Sequence, residues 1–255
     1  MSDVVRTSRL RLREFTSARV SLATTGHSIA TSEVLNFQLA HARARDAVHA
    51  PFDLADFARR LRVELPILAE ASIAVQQLRT NASDRATYLR QPVLGRTLPP
   101  DSAAQLQPAP CDLAIILADG LSALAVERHA IRLLAHLLPQ LLGTGWSIAP
   151  VCLVQQGRVA IGDPIGSRLG ARLSLVLIGE RPGLSSPDSL GAYVTWNPRP
   201  DRTDADRNCL SNIRAGGLSP ESASERLMWY LQTARARQLT GTLLKEEIHL
   251  DALSD

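Results

Sequence analysis

Lysine is almost missing from this chain: Lys245 stands alone beside 27 arginines in 255 residues. That argues against a phosphate grip of the G-x-x-x-x-G-K-[ST] kind, and no such string occurs. Cysteine is sparse too. Cys111, Cys152 and Cys209 are odd in number and form no C-x-x-C pair, which argues against a disulfide framework and a structural zinc site. Reduced thiols in a reducing compartment are expected. Aromatic residues make up 4% and do not interleave the arginines, so a stacking platform for nucleic acid is not expected. No apolar run approaches the ~18 residues a spanning helix needs. The opening MSDVVRTSRLRLREF is charged where a secretory apolar region would sit. A cytoplasmic protein with no membrane partner is the expectation.

Catalytic strings are missing as well. There is no G-x-S-x-G elbow and no H-E-x-x-H. GTGWSI (residues 143–148) lacks the third glycine of a dinucleotide fingerprint and precedes a strand. The six histidines show no metal-ligand spacing; His129 and His136 fall seven apart on one helix and read as surface or core residues. No catalytic and no metal-ligating residue is assigned. The pattern describes a chain that holds something and leaves the chemistry elsewhere.

What is present suits a globular fold. At 45% hydrophobic and 21% charged, the chain has the composition of an ordinary folded protein, and its length permits a large core. The net charge of +3 hides an asymmetry, because residues 1–100 hold 14 arginines against nine acids. Arginine's planar fork suits an interface; genomic base composition is the competing explanation.

The stretch SRLRLREFTSARV reads as an extended arm or edge strand. A helix follows in TSEVLNFQLAHARARDAVHA, with Thr31 or Ser32 as cap and Pro51 as stop. Asp53 caps a second helix carrying Leu54, Phe57 and Leu61, and ILAEASIAVQQLRT predicts a third. TLPPDSAAQLQPAP (residues 97–110) carries four prolines and marks a boundary. Beyond it, DLAIILA (112–118), SIAPVCLVQ (147–155), RLSLVLIG (172–179) and GAYVTWN (191–197) read as strands. LSALAVERHAIRLLAHLLPQLLG, DPIGSRLGA and SPESASERLMWYLQTARARQ read as helices, the last with Ser219 as cap and Pro220 in its first turn. VCLVQQGRVAI has a second reading as a hairpin turning at Gln156–Gly157. The predicted fold is α/β: a mostly parallel sheet with helices on both faces, preceded by a helical N-terminal subdomain. The expected division is an arm and helical subdomain over 1–98 and an α/β domain over 99–255.

In open α/β sheets, ligands bind beyond the carboxyl ends of the strands. Four polar segments follow the predicted strands: DGLS (119–122), QGRV (156–159), GERPG (179–183) and NPRPDRTDADRNC (197–209). All four are expected at one edge of the sheet, as a ligand crevice. Taken singly, each also reads as an ordinary turn.

The blocks EFTSARVSLATTG, ATYLRQPVLGRTL, LADGLSALAV, QQGRVAIGDPIG, LIGERPGLSSPDS and DRNCLSNIRAGG, in this order, resemble the small (light) subunit family of ethanolamine ammonia-lyase over residues 12–237. The resemblance implies a Rossmann-like domain. It also implies an adenosylcobalamin-dependent conversion of ethanolamine to acetaldehyde and ammonia, in a hetero-oligomer whose large subunit carries the substrate site. The family's cobalamin contacts fall on Val159, Glu180 and Cys209. Glu180 would accept N–H donors from the corrin side chains, or else pair with Arg181 or another arginine. Val159 would act through its backbone and by packing, while Cys209 is a specific contact or a small buried hydrophobe. No D-x-H-x-x-G string occurs, so the cobalt would keep its own dimethylbenzimidazole base. NPRPDRTDA matches no family block. The longer N-terminal extension that some relatives carry is not seen, so the cytoplasm is expected, with a bacterial microcompartment as the alternative.

The rival reading is a free-standing α/β module binding a nucleotide-like metabolite, which would stay monomeric and ignore cobalamin. The missing nucleophile and metal motifs predict that the isolated chain has no lyase activity. Turnover of ethanolamine by the purified chain, without a large subunit, would overturn that.

Overall fold

A computed structural model describes residues 12, 14–16 and 18–246; of the arm or edge strand expected over residues 8–20, seven residues lie among these, and Leu12, Glu14 and Phe15 are helical rather than extended. The first strands, β1 (Thr24–Thr25) and β2 (Ser28–Ile29), form a small antiparallel ribbon. Helix α1 (Thr31–His49) follows, and Asp53 then caps α2 (Leu54–Glu64), its carboxylate accepting from the N–H groups of Ala55 and Asp56 at 3.0 Å. Six further strands make the main sheet: β3 (Val75–Arg79), β4 (Cys111–Ala118), β5 (Val151–Gln155), β6 (Ala171–Gly179), β7 (Leu190–Trp196) and β8 (Arg207–Ile213). Their spatial order is β3-β5-β4-β6-β7-β8. The first four run parallel, and β7 and β8 are antiparallel to their neighbours. The chain is thus α/β with a mostly parallel, mixed sheet.

The apolar run of β4 is explained by its cover. Leu113, Ile115 and Leu117 pack into one cluster with Leu61 of α2, Leu134 of α4 (Ile131–Gly143) and Leu227 of α6 (Pro220–Arg237); α3 is the short helix Arg85–Arg90. Ala114, Ile116 and Ala118 face a second cluster with Ile165 and Leu169 of α5 (Gly162–Leu169). Alternate residues of a strand point to opposite faces, so both faces of β4 are buried. Ser219 accepts from the Ser222 N–H to cap α6, as its sequence predicts.

Three expectations are corrected. The third helix stops early: Ile67–Glu70 is helical, Ser72 takes a φ of +55°, and the chain turns into β3, which pairs with β5. Val75–Arg79, within the first hundred residues, is thereby one of the two edge strands of the main sheet. Next, β7 runs against β6. Residues 180–189 are too few for the crossover that a parallel partner needs, so the chain doubles back. The segment 197–206 therefore lies at the opposite edge, where the Asn197 N–H donates to the carbonyl of Arg172 at the start of β6. Finally, Arg207–Ile213 is a strand where the sequence suggested a connection. The alternative hairpin at Gln156–Gly157 does not form; β5 ends at Gln155 and leads through a turn into Val159–Ile161.

Helix α1 is unusual in what it leaves bare. Val34, Leu35, Phe37 and Leu39 are exposed, and only Ala44 and Ala47 of the helix are buried. At 100° per residue these apolar side chains spread around the helix rather than along one stripe.

At the far edge, Arg207 and Asp163 form a buried bidentate ion pair with both N···O distances at 2.7 Å, joining β8 to α5. Removing one partner strands the other charge in the interior. Asp163→Leu should cost about 3–5 kcal/mol, and the double change Asp163→Leu/Arg207→Met less than either single change. Urea unfolding of the four proteins checks this, and additive losses in the double variant would contradict it.

Candidate functional site

Three of the four polar segments do meet, beyond the carboxyl ends of β4, β5 and β6. They edge an open cleft of about 400 Å³. Gly120 and Leu121 come from the first segment, Arg158 and Val159 from the second, and Gly179, Glu180 and Arg181 from the third. Tyr88 of α3, Ile178, Tyr193 of β7 and Ser211 of β8 complete the lining. The floor depends on two glycines in close contact. The Leu121 N–H donates to the Gly179 carbonyl at 2.9 Å. A Cβ on Gly179 would stand 1.9 Å from the Ser122 carbonyl oxygen, and one on Gly120 2.2 Å from that of Gly179. No other residue lets these two strand ends touch.

Glu180 is no salt-bridge residue among the described residues. Its carboxylate accepts from the hydroxyls of Ser189 and Ser211 and from the Asn212 N–H at 3.2 Å. The Glu180 N–H in turn donates to the Ser189 carbonyl at 2.9 Å. One side chain thus ties the end of β6 to the start of β7 and the end of β8. An ionised carboxylate offers roughly four acceptor positions, so three donors leave room for another.

Behind the cleft lies a buried charged group that the sequence did not single out. The Arg85 guanidinium donates to the carbonyls of Val48 at 2.6 Å and Gly120 at 2.7 Å, and its nearest acid, Asp119, is 3.6 Å away. Asp119 is 3% exposed and accepts from the Gly157 N–H at 3.2 Å. Burial pushes its carboxyl up to about 6, and the attraction of Arg85 only partly opposes this. Tyr88 sits between two guanidinium groups, with Arg158 4.2 Å and Arg85 4.9 Å from its ring centre. Its hydroxyl donates to the Gly157 carbonyl at 2.9 Å, and burial raises its pKa.

Of the three residues the resemblance suggested, Val159 and Glu180 line the cleft. Val159 opens the turn Val159–Ile161 and packs against the second core cluster; its N–H has no partner among the described residues. Cys209 lies on the edge strand β8 opposite Tyr193, set back from the lining. Cys209 is exposed and so is not the small buried hydrophobe its sequence allowed; local desolvation of the sulfur still raises its thiol pKa, while a hydrogen bond with Tyr193 works the other way. Tyr88, Ile178, Tyr193 and Ser211 are lining residues outside the polar segments, and Arg158 lies inside one without having been singled out. Arg158 had one signal, its place in QGRV beside Val159. Among the described residues, no group of three or more His, Cys, Asp or Glu is placed to hold a metal ion. No helix among them is long and apolar enough to cross a membrane.

The buried Asp119 makes a definite demand on pH dependence. Its folded-state pKa lies above the ordinary 3.8, so its contribution to stability is present below about pH 4 and lost as pH rises through about 6. Between pH 4 and 7.5 this amounts to up to about 3 kcal/mol. In Asp119→Asn that part of the slope should vanish. Unfolding measured across the range in both proteins tests this, and parallel slopes would refute it.

Comparison with known proteins gives one family. The family model "Ethanolamine ammonia-lyase light chain (EutC)" matches residues 7–245. The ethanolamine ammonia-lyase small subunit of Pseudomonas aeruginosa is 50% identical over 250 residues, covering 96% of this chain and 89% of the relative. That of Pseudomonas fluorescens is 49% identical with the same coverage. The Azotobacter vinelandii small subunit is 49% identical over 95% of this chain and 90% of its own length. The chain belongs to the ethanolamine ammonia-lyase light-chain family.

Proposed function

We propose that the chain is the small subunit of an adenosylcobalamin-dependent ethanolamine ammonia-lyase, which converts ethanolamine to acetaldehyde and ammonia. Its partner is a large subunit that carries the substrate site, and the two together enclose the cobalamin. The observation that carries this reading is family membership over residues 7–245, together with a strand-end cleft edged by Val159 and Glu180. On this reading residues 99–255 act as a Rossmann-like cobalamin-contacting domain, with β3 reaching into its sheet from the N-terminal part.

The residues present fit such a ligand. A corrin rim carries amide groups, each with N–H donors and a carbonyl acceptor. The cleft offers both complements: the Glu180 carboxylate as acceptor and the Val159 N–H as donor. The orphaned Arg158 Nε, buried without a hydrogen-bond partner, supports a ligand role for that side chain. Cys209, one rung from the lining, would reach the ligand only at its margin.

When bound, adenosylcobalamin supplies a carbon radical by homolysis of its Co–C bond. This chain's part is to hold and to cover. Glu180 would take amide donors at the corrin edge, and its three internal hydrogen bonds fix its position beforehand. Val159 and Ile178 would turn apolar surface toward the ring and keep water from it. An open cleft needs a second wall, which is the place for the large subunit.

In the complex with a large subunit, Glu180→Ala should weaken cobalamin binding roughly 10-fold, the worth of one hydrogen bond to a charged group. Equilibrium dialysis with cyanocobalamin measures it. Unchanged affinity in a correctly assembled complex would remove Glu180 from the binding site.

A further inference from the structure

We propose that Arg158 is the anion contact of the cleft and binds the phosphodiester of the ligand's nucleotide tail; this rests on the cobalamin reading above. The first support is rigidity. The Arg158 N–H donates to the Gly95 carbonyl at 2.8 Å, Nη2 donates to the Tyr88 carbonyl at 3.3 Å, and the guanidinium lies over the Tyr88 ring. Gly95 makes room for the stem: a Cβ there would stand 2.9 Å from Arg158 Cγ. A long side chain held this way has lost its freedom before any ligand arrives.

The second support is charge. Among the described residues no acid forms an ion pair with Arg158, and its Nε is buried without a hydrogen-bond partner. The one buried acid nearby, Asp119, stands with Arg85. Arg85 and Asp119 answer one another behind the cleft, and the lining itself carries Arg158 and Arg181 against Glu180 alone, which leaves one positive charge without a counterpart at this rim. A half-buried guanidinium without a carboxylate calls for an anion. Cobalamin has amides around its ring and a single anionic group, the phosphodiester of the tail. The planar guanidinium fork matches phosphate oxygens with charge-assisted bonds, and a neutral amide carbonyl would leave the charge unanswered.

The test compares cobinamide, which lacks the tail and its phosphate, with cobinamide phosphate. Both are titrated into the large–small subunit complex and followed by visible absorption, for the wild type, Arg158→Met and Arg158→Lys. The wild type should prefer the phosphate-bearing probe by roughly 10- to 100-fold, the worth of a charge-assisted contact. In Arg158→Met that preference should collapse to about one, with cobinamide affinity within roughly two-fold of wild type, and Arg158→Lys should recover part of it. Equal loss for both probes would assign Arg158 to the ring or to the fold and overturn the inference alone. A preserved preference in Arg158→Met would do the same. Failure of the wild type to bind either corrinoid would overturn the cobalamin reading and this inference with it.

Discussion

Ten residues separate β6 from β7, and that shortness shapes both edges of the sheet. A parallel continuation would need a crossover, and there is no chain to build one. The strand therefore folds back, and two things follow. Tyr193 and Ser211 arrive at the cleft on antiparallel strands, from the side opposite to the helices that bring in Tyr88. The acidic and arginine-rich turn at 197–206 is carried to the far edge, where Arg207 and Asp163 close it down. The Glu180 carboxylate is the fastening for this arrangement, since it binds all three antiparallel strand ends at one point.

Buried charge is placed at both rims of the sheet, in two different states. Arg207 and Asp163 meet with matched forks at 2.7 Å, so their attraction and hydrogen bonds offset much of the cost of leaving water. Arg85 and Asp119 are 3.6 Å apart, and burial outweighs their attraction. The far edge keeps one buried donor without a hydrogen-bond partner, Arg207 Nε, with Asp204 3.6 Å away, and the cleft edge keeps two, Arg85 Nη2 and Arg158 Nε. The difference between the rims therefore lies in how the ion pairs are matched.

Much of the fold is legible in the sequence where the signals are local. The caps Asp53 and Ser219, Pro220 in the first turn of α6, and the doubly buried run of β4 all read directly. The third helix misled because its end depends on Ser72 adopting a left-handed φ without a glycine to announce it. The strand β8 hid because its burial alternates poorly, with Asn212 at a φ of +61° and a register shift against β7. At the site, the strand-end rule located residues 119–122, 156–159 and 179–183. It failed for 197–209 because it assumed a direction for β7. Tyr88, Tyr193 and Ser211 were invisible for a simpler reason: distant elements bring them together.

The bare apolar surface of α1 bears on how the free chain behaves as it becomes concentrated. Val34, Leu35, Phe37 and Leu39 stand in solvent around one helix, and surface of that kind adheres to its like. Any loss of free chain to self-association through this helix would grow with concentration, and added stability in the core would not prevent it.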